Sequence, residues 1–167
     1  MEFMEVVRKR RSIRKYRPER IPDEKLANIL EAARLAPSGS NRQSWKFIVV
    51  RDKEKKAKVA EACNKQLWIG DADIIVVGCW LPMPGIDKMR LRRDVTIAME
   101  HLVLAATNEG LGACWIGAFD LDSVKSTLGI PKDVGVNAIA PIGYPAEPPR
   151  PKTTKGLEEI VCYEVFR

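Results

Sequence analysis

VTIAMEHLVLAATNEGLGACWIGAF, residues Val95–Phe119, reads as a buried helix that turns through glycine into a strand. Its first part is apolar on nearly every face, broken only by Thr96, Glu100, His101 and Thr107. That is the pattern of a helix packed on all sides. It is too short and too interrupted to span a bilayer. Gly110 stands where a helix stops in the left-handed C′ conformation. After Gly112 comes the short apolar run Ala113–Ile116. A helix feeding such a run belongs at the centre of a mixed α/β layer. Between Gly112 and Gly117 the backbone is open to close approach by a flat ligand, because glycine carries no Cβ. A plain helix–strand connection would have the same sequence.

The neighbouring segments supply the layers. Upstream, Ile74–Cys79 is a near-continuous apolar run, as in a central strand. Trp80–Arg93, with Pro82, Pro84 and Gly85, reads as a short connection forming one wall of a pocket. Asp52 is placed to cap a helix running to about Asn64, with Ala60, Cys63 and Leu67 facing inward. Trp45–Val50 reads as a strand. Pro22 opens an earlier helix, in which Leu26, Ile29, Leu30 and Ala33 recur at helical spacing until Ala36. Downstream, Asp120 caps a short helix, Leu121–Leu128, closed by Gly129. Val134–Ala140 is another buried strand, and Pro141 predicts its end.

Two polar segments are candidates for chemistry. The basic run Arg8–Tyr16 places Ser12 among Arg10, Arg11 and Arg14. Guanidinium donors beside a hydroxyl suit a phosphate monoester. A solvated surface or a nucleic-acid arm would carry the same charge. Ile13 and Tyr16 read as anchors that tie the run to a core. The second segment, Pro37–Ser44, gathers three hydroxyls, Asn41, Arg42, Gln43 and a glycine between a helix and a strand. Such loops converge on ligands, or simply cap their own turns. His101 lies inside the helical pattern and reads as a packing residue rather than a base.

Composition sets the bounds. A chain of 167 residues suits one domain with a real core. With 46% hydrophobic and 30% charged residues it is neither disordered nor membrane-embedded. The modest net charge of +6 admits nucleic acid, and the less demanding reading is an anionic cofactor plus a solvated surface. Cys63, Cys79, Cys114 and Cys162 are widely spaced, form no C-x-x-C and have one histidine for company, which argues against zinc. They read as buried reduced thiols of a cytoplasmic protein. Met1–Glu5 is acidic and is followed by no long apolar region, so no signal peptide is expected. No G-x-G-x-x-G and no Walker A pattern occurs. Beyond Tyr144, Ala146–Lys155 is proline-rich and basic, and Glu159–Phe166 has strand character. Such an arm can reach a partner's sheet edge or return to its own sheet.

Four motifs stand in one order: RRSIRKY (Arg10–Tyr16), APSGSNRQSWKF (Ala36–Phe47), AMEHLVLAATNEGLGACWIGAF (Ala98–Phe119) and IGYP (Ile142–Pro145). Together they resemble the FMN-dependent nitroreductase family over almost the whole chain. The resemblance implies an α+β fold: a three-layer α/β/α arrangement around a central mixed, mainly antiparallel sheet. It implies one domain over 1–167, with 146–167 as a C-terminal arm swapped in a homodimer to extend the partner's sheet. By the same resemblance, Arg10, Arg11, Ser12 and Arg14 hold the FMN phosphate and ribityl chain. Pro37, Ser38 and Ser40 reach the flavin from the other subunit, with Asn41 and Gln43 shaping the site. The backbone of Trp115, Ile116 and Gly117 passes the ring near N5. Lys152 or Lys155 matches a basic residue near the phosphate, and Asn64 or Gln66 a polar contact to the pyrimidine edge.

The activity so implied is ping-pong hydride transfer from NADH or NADPH, through flavin N5, to a nitroaromatic, quinone or flavin acceptor. No side chain is needed as a catalyst and no metal is implied, nor any nucleic-acid or membrane partner. A non-catalytic flavin carrier and a flavin-modifying or dehalogenase-like protein are the alternatives the same fold supports. The Leu81–Arg93 connection is compact where larger relatives insert helices over the substrate pocket, so pocket shape and acceptor stay open.

Overall fold

The computed structural model describes residues 1–149 and 151–166. Its elements run α1 (Phe3–Lys9), α2 (Asp23–Arg34), β1 (Trp45–Val50), α3 (Lys53–Ala62), β2 (Ile74–Trp80), α4 (Lys88–Asn108), β3 (Gly112–Ala113), α5 (Leu121–Leu128) and β4 (Gly135–Gly143). Short 3₁₀ turns lie at Gly39–Asn41, Leu67–Asp71 and Leu157–Glu159. The strands pair antiparallel in the order β1-β2-β4-β3. A parallel bridge from Ser12 to Ala113 ties the N-terminal segment to the β3 edge and makes the sheet mixed.

The period of two along β2 divides the core. Ile74, Val76 and Trp80 enter one cluster; Ile75, Val77 and Cys79 enter the other. The first cluster is closed by α4 (Val95, Met99, Leu102, Ala106) and α2 (Ile29, Ala33). The second is closed by α3 (Val59, Ala60) and α5 (Val124). Helices therefore cover both faces, as a fully buried central strand requires. In β4 the register to β2 slips between Gly78 and Cys79, leaving Asn137 without a partner. That bulge swaps faces, so Ala138 joins the first cluster and Val136 the second.

The predicted caps are in place. Asp52 accepts from Lys55 N at 2.9 Å, and Asp120 from Ser123 N at 2.8 Å. Gly110 closes the turn after α4 at φ 75°.

Several expectations need correction. The Asp87 carboxylate accepts from Arg90 N at 3.1 Å, so α4 starts at Lys88 and the connection shrinks from Trp80–Arg93 to Leu81–Asp87. Nor is α4 packed on all sides. Ile97, His101, Leu104 and Ala105 are only half-buried. The last three line an apolar groove of about 390 Å³ with Met1, Phe3 and Val6. Leu67 is exposed rather than inward, because the chain leaves α3 at Cys63 and turns through left-handed Asn64 and Lys65. Cys63, Cys79 and Cys114 are buried as expected, and burial pushes the Cys63 and Cys79 thiols up to about 11. Cys162 is exposed.

Pro141 does not end β4, which runs on to Gly143. It interrupts the neighbouring strand instead. Gly112 pairs with Gly143 and Ala113 with Ile142. Ile116 and Ile139 then exchange two hydrogen bonds, at 2.9 and 3.0 Å, in the same register. That register sets Cys114 opposite Pro141, at the alternate position where a second bonded pair belongs. Proline has no N–H to give there, so β3 stops at Ala113.

Residues 160–166 form no strand. Among the described residues no sheet edge pairs with them, and a strand without a ladder leaves its backbone groups to water. Among the described residues no helix is long and apolar enough to cross a membrane, and no cluster of ligands could hold a metal ion.

Candidate functional site

The basic run is fixed in place by the two anchors read from the sequence. Ile13 N donates to Ala113 O at 3.0 Å, and the Ile13 side chain fills the space where a Cβ on Gly112 would stand, 2.5 Å from Cγ1. Tyr16 OH donates to Ile13 O at 2.7 Å and lies 3.2 Å from Pro141 O. Burial pushes the Tyr16 phenol up, so it stays a donor. Between these anchors, Arg10, Arg11, Ser12 and Arg14 line a cavity of about 420 Å³ together with Pro151, Lys152 and Thr153.

The charge of this cavity is uncompensated. Flanking cations are paired: Lys9 with Glu5 at 2.7 Å and Lys15 with Glu147 at 2.9 Å. Among the described residues Arg10, Arg11, Arg14 and Lys152 form no ion pair, and no carboxylate lines the cavity. Arg11 is partly engaged, since Nη1 donates to Arg8 O and Arg10 O at the end of α1. A site of guanidinium, ammonium and hydroxyl donors without a counter-charge fits a phosphate dianion. Lys155 does not line it.

The sheet carries the glycine stretch to the same place. Because Ser12 bridges Ala113, the basic cavity lies where β3 gives way to Cys114–Gly117. The Cys114 thiol is pushed up by burial, while Arg14, Ser12 and Arg10 pull it the other way. Trp115 is held by its indole, which donates to Glu100 Oε2 of α4 at 2.8 Å. Ile116 is buried on β4, whereas Gly117 is exposed with no neighbour where a Cβ would sit. Asp120 N then donates to Ala62 O at 2.8 Å, which brings the end of α3 alongside. Asn64 follows that helix end in a left-handed conformation, and Gln66 donates to Cys63 O at 3.1 Å. Asn64 lines a separate surface groove between α3 and α5.

The other loop is held elsewhere. Pro37, Ser40, Asn41 and Gln43 are exposed and Ser38 is half-buried, its Oγ accepting from Gln43 N at 2.9 Å. Arg42 and Gly39 bind Asp94, near the start of α4. The structure thus unites Arg10, Arg11, Ser12, Arg14 and Lys152 with the 112–117 stretch, whereas no residue of the Pro37–Ser44 loop is among the described residues that line the basic cavity. Sequence reasoning missed Asp94 and Glu100. A carboxylate among apolar helix positions was the available signal for Glu100, whereas Asp94, directly after Arg92 and Arg93, carried none.

The family model described as the nitroreductase family matches residues 7–78 and 84–144. A protein of Methanothermobacter thermautotrophicus, provisionally named an NADH dehydrogenase/NAD(P)H nitroreductase, is 36% identical, over 89% of this chain and 80% of its own. Among solved structures, a nitroreductase family protein from Clostridium difficile 630 is 32% identical with a TM-score of 0.88, covering 99% of this chain and all of its own (100%). The NADPH:FMN oxidoreductase of Vibrio harveyi, solved with NAD+, is 25% identical with a TM-score of 0.92, over 99% of this chain and 78% of its own.

Proposed function

The chain belongs to the nitroreductase family, and on that premise we propose how its own residues serve an FMN-dependent NAD(P)H oxidoreductase. FMN supplies the redox chemistry, taking a hydride equivalent from NADH or NADPH and passing it to a small-molecule acceptor. The observation that carries the assignment of residues is the unpaired basic cavity joined to the glycine stretch through the Ser12–Ala113 bridge.

Arg10, Arg14 and Lys152 neutralise the phosphate, and Ser12 adds a hydroxyl donor. Arg11 contributes mainly by ordering the end of α1. Trp115–Gly117 lies against the ring, where exposed Gly117 admits close approach and the Glu100 bond fixes the Trp115 indole. Asn64 and Gln66, at the end of α3, would supply the polar contact to the ring's far edge. Lys155 has no part in this arrangement. The short Leu81–Asp87 connection carries no helix over the site, which favours acceptors that stack flat, such as nitroaromatics, quinones or flavins.

The assembly is a homodimer with shared sites. Pro37, Ser38, Ser40, Asn41 and Gln43 complete the flavin site of the second copy. The apolar groove beside α4 and exposed Phe3, Met4 and Val7 supply contact area. Residues 146–167 form the swapped arm. Among the described residues β1 pairs only with β2, so its outer edge is open to an added strand from the partner's 160–166 segment.

Absorption spectra test the reading. The purified protein is expected to be yellow, or to become so with added FMN, and to bleach anaerobically with NADH or NADPH. A protein that binds no FMN overturns it. One that binds FMN but is bleached by neither nucleotide is a carrier.

A further inference from the structure

Asp94 is 1% exposed inside α4, where a carboxylate is costly unless fully paired. Both of its oxygens go to one loop. Oδ1 accepts from Gly39 N at 3.3 Å and Oδ2 from the Arg42 guanidinium at 3.0 Å. Gly39 is fitted to this pair, since a Cβ there would stand 2.3 Å from Arg42 Nη2. The loop so held is not relaxed. Ser40, Asn41 and Gln43 have φ of 52°, 52° and 51°, the left-handed region that side chains disfavour. The buried Nε of Arg42 and Oγ of Ser44 have no hydrogen-bond partner among the described residues. A buried ion pair is weak support for stability by itself. Strain persists where the surroundings over-determine it, and it gathers at binding sites.

We propose that Asp94 and Arg42 are positioning residues. Their pair clamps the Pro37–Ser44 loop in the one shape in which Ser38, Ser40, Asn41 and Gln43 meet the FMN held by a second copy of the chain. This rests on the shared-site reading above. The clamp faces inward to α4, while Ser40, Asn41 and Gln43 are left exposed. The loop is thereby set by a rigid helix rather than by its own weak turns, as a site completed across an interface requires.

Fluorescence titration with FMN is the test, on wild type, Asp94→Asn, Arg42→Gln, Arg42→Lys and Gly39→Ala, with circular dichroism confirming the fold. Asp94→Asn, Arg42→Gln and Gly39→Ala should each bind FMN at least tenfold more weakly. Arg42→Lys, which keeps the charge and loses the fork, should fall between them and wild type. Gly39→Ala keeps both charged groups and displaces the guanidinium sterically, so it serves if removal of a charge prevents folding. A lowered melting temperature with FMN affinity unchanged in the folded variants would assign the pair to stability alone and overturn the inference. A wild type that takes up no FMN would overturn the functional reading and this inference together.

Discussion

Two residue-scale effects can be separated by magnitude. Among the described residues Arg10 and Arg14 line the basic cavity without a counter-ion, so on the proposed assignment removing one deletes a charge-assisted bond to ligand and leaves no orphaned carboxylate. Arg10→Ala or Arg14→Ala should therefore weaken FMN binding by roughly 1.5–3 kcal/mol, with an unchanged far-ultraviolet dichroism spectrum. Equilibrium titration of the apoprotein checks it, and unchanged affinity in both variants would place the phosphate elsewhere. The buried thiols act on the fold instead. Burial raises Cys63 and Cys79 from 9.0 to about 11 in the folded chain. In the unfolded chain they ionise near their ordinary value, so above about pH 9 the unfolded state holds fewer protons. Their contribution is full below that pH and is lost as pH rises through 11, with a limiting slope of about 1.4 kcal/mol per pH unit for each thiol. Urea unfolding at a series of alkaline pH values should show this loss. It should be shallower in Cys63→Ala and Cys79→Ala, whatever those changes cost at neutral pH.

At the scale of elements, Pro141 sets the length of β3. Pro141→Val would return an N–H opposite Cys114, where the register already places a bonded pair. The new bond adds about 0.5–1.5 kcal/mol, but losing proline frees the unfolded chain by about 0.4–1 kcal/mol. The two nearly cancel, so stability should hardly change while amide exchange slows at 114–116. Exchange as fast as in the wild type would mean that the break in β3 has another cause. The same element shows what sequence alone could yield. Caps at Asp52 and Asp120, the Gly110 stop and the buried run Ile74–Cys79 act locally, and each was legible. The effect of Pro141 falls on a strand almost thirty residues earlier in the chain, and only the register reveals it. The basic run was legible as charge, but its junction with Gly112–Gly117 depends on the Ser12–Ala113 bridge. Asp87 was a readable cap that the prolines nearby obscured. Asp94 was hidden for the opposite reason, since its partner Arg42 sits in a loop whose path no periodicity describes.

The proposed dimer belongs to the scale of the whole molecule. Leu157, Ile160, Tyr163 and Phe166 are 67%, 65%, 80% and 98% exposed, an apolar stretch that the described residues leave uncovered. On the body, the groove beside α4 and the open edge of β1 are likewise uncovered. The proposed two-fold arrangement would answer all three: each arm would lie on the other copy, and each Pro37–Ser44 loop would come to the other's basic cavity. In such a dimer folding, pairing and flavin binding would be linked equilibria. Truncation after Gly156 should lower both the melting temperature and the flavin occupancy of the purified protein, and added FMN should restore part of the lost melting temperature. The body of each copy keeps its two core clusters, so the truncated chain should still fold. Sedimentation of the intact protein at low micromolar concentration is the direct measurement, with a dimer expected at every concentration reached. A stable monomer that binds FMN tightly would refute the shared site, and the arm would then have to fold back on its own chain.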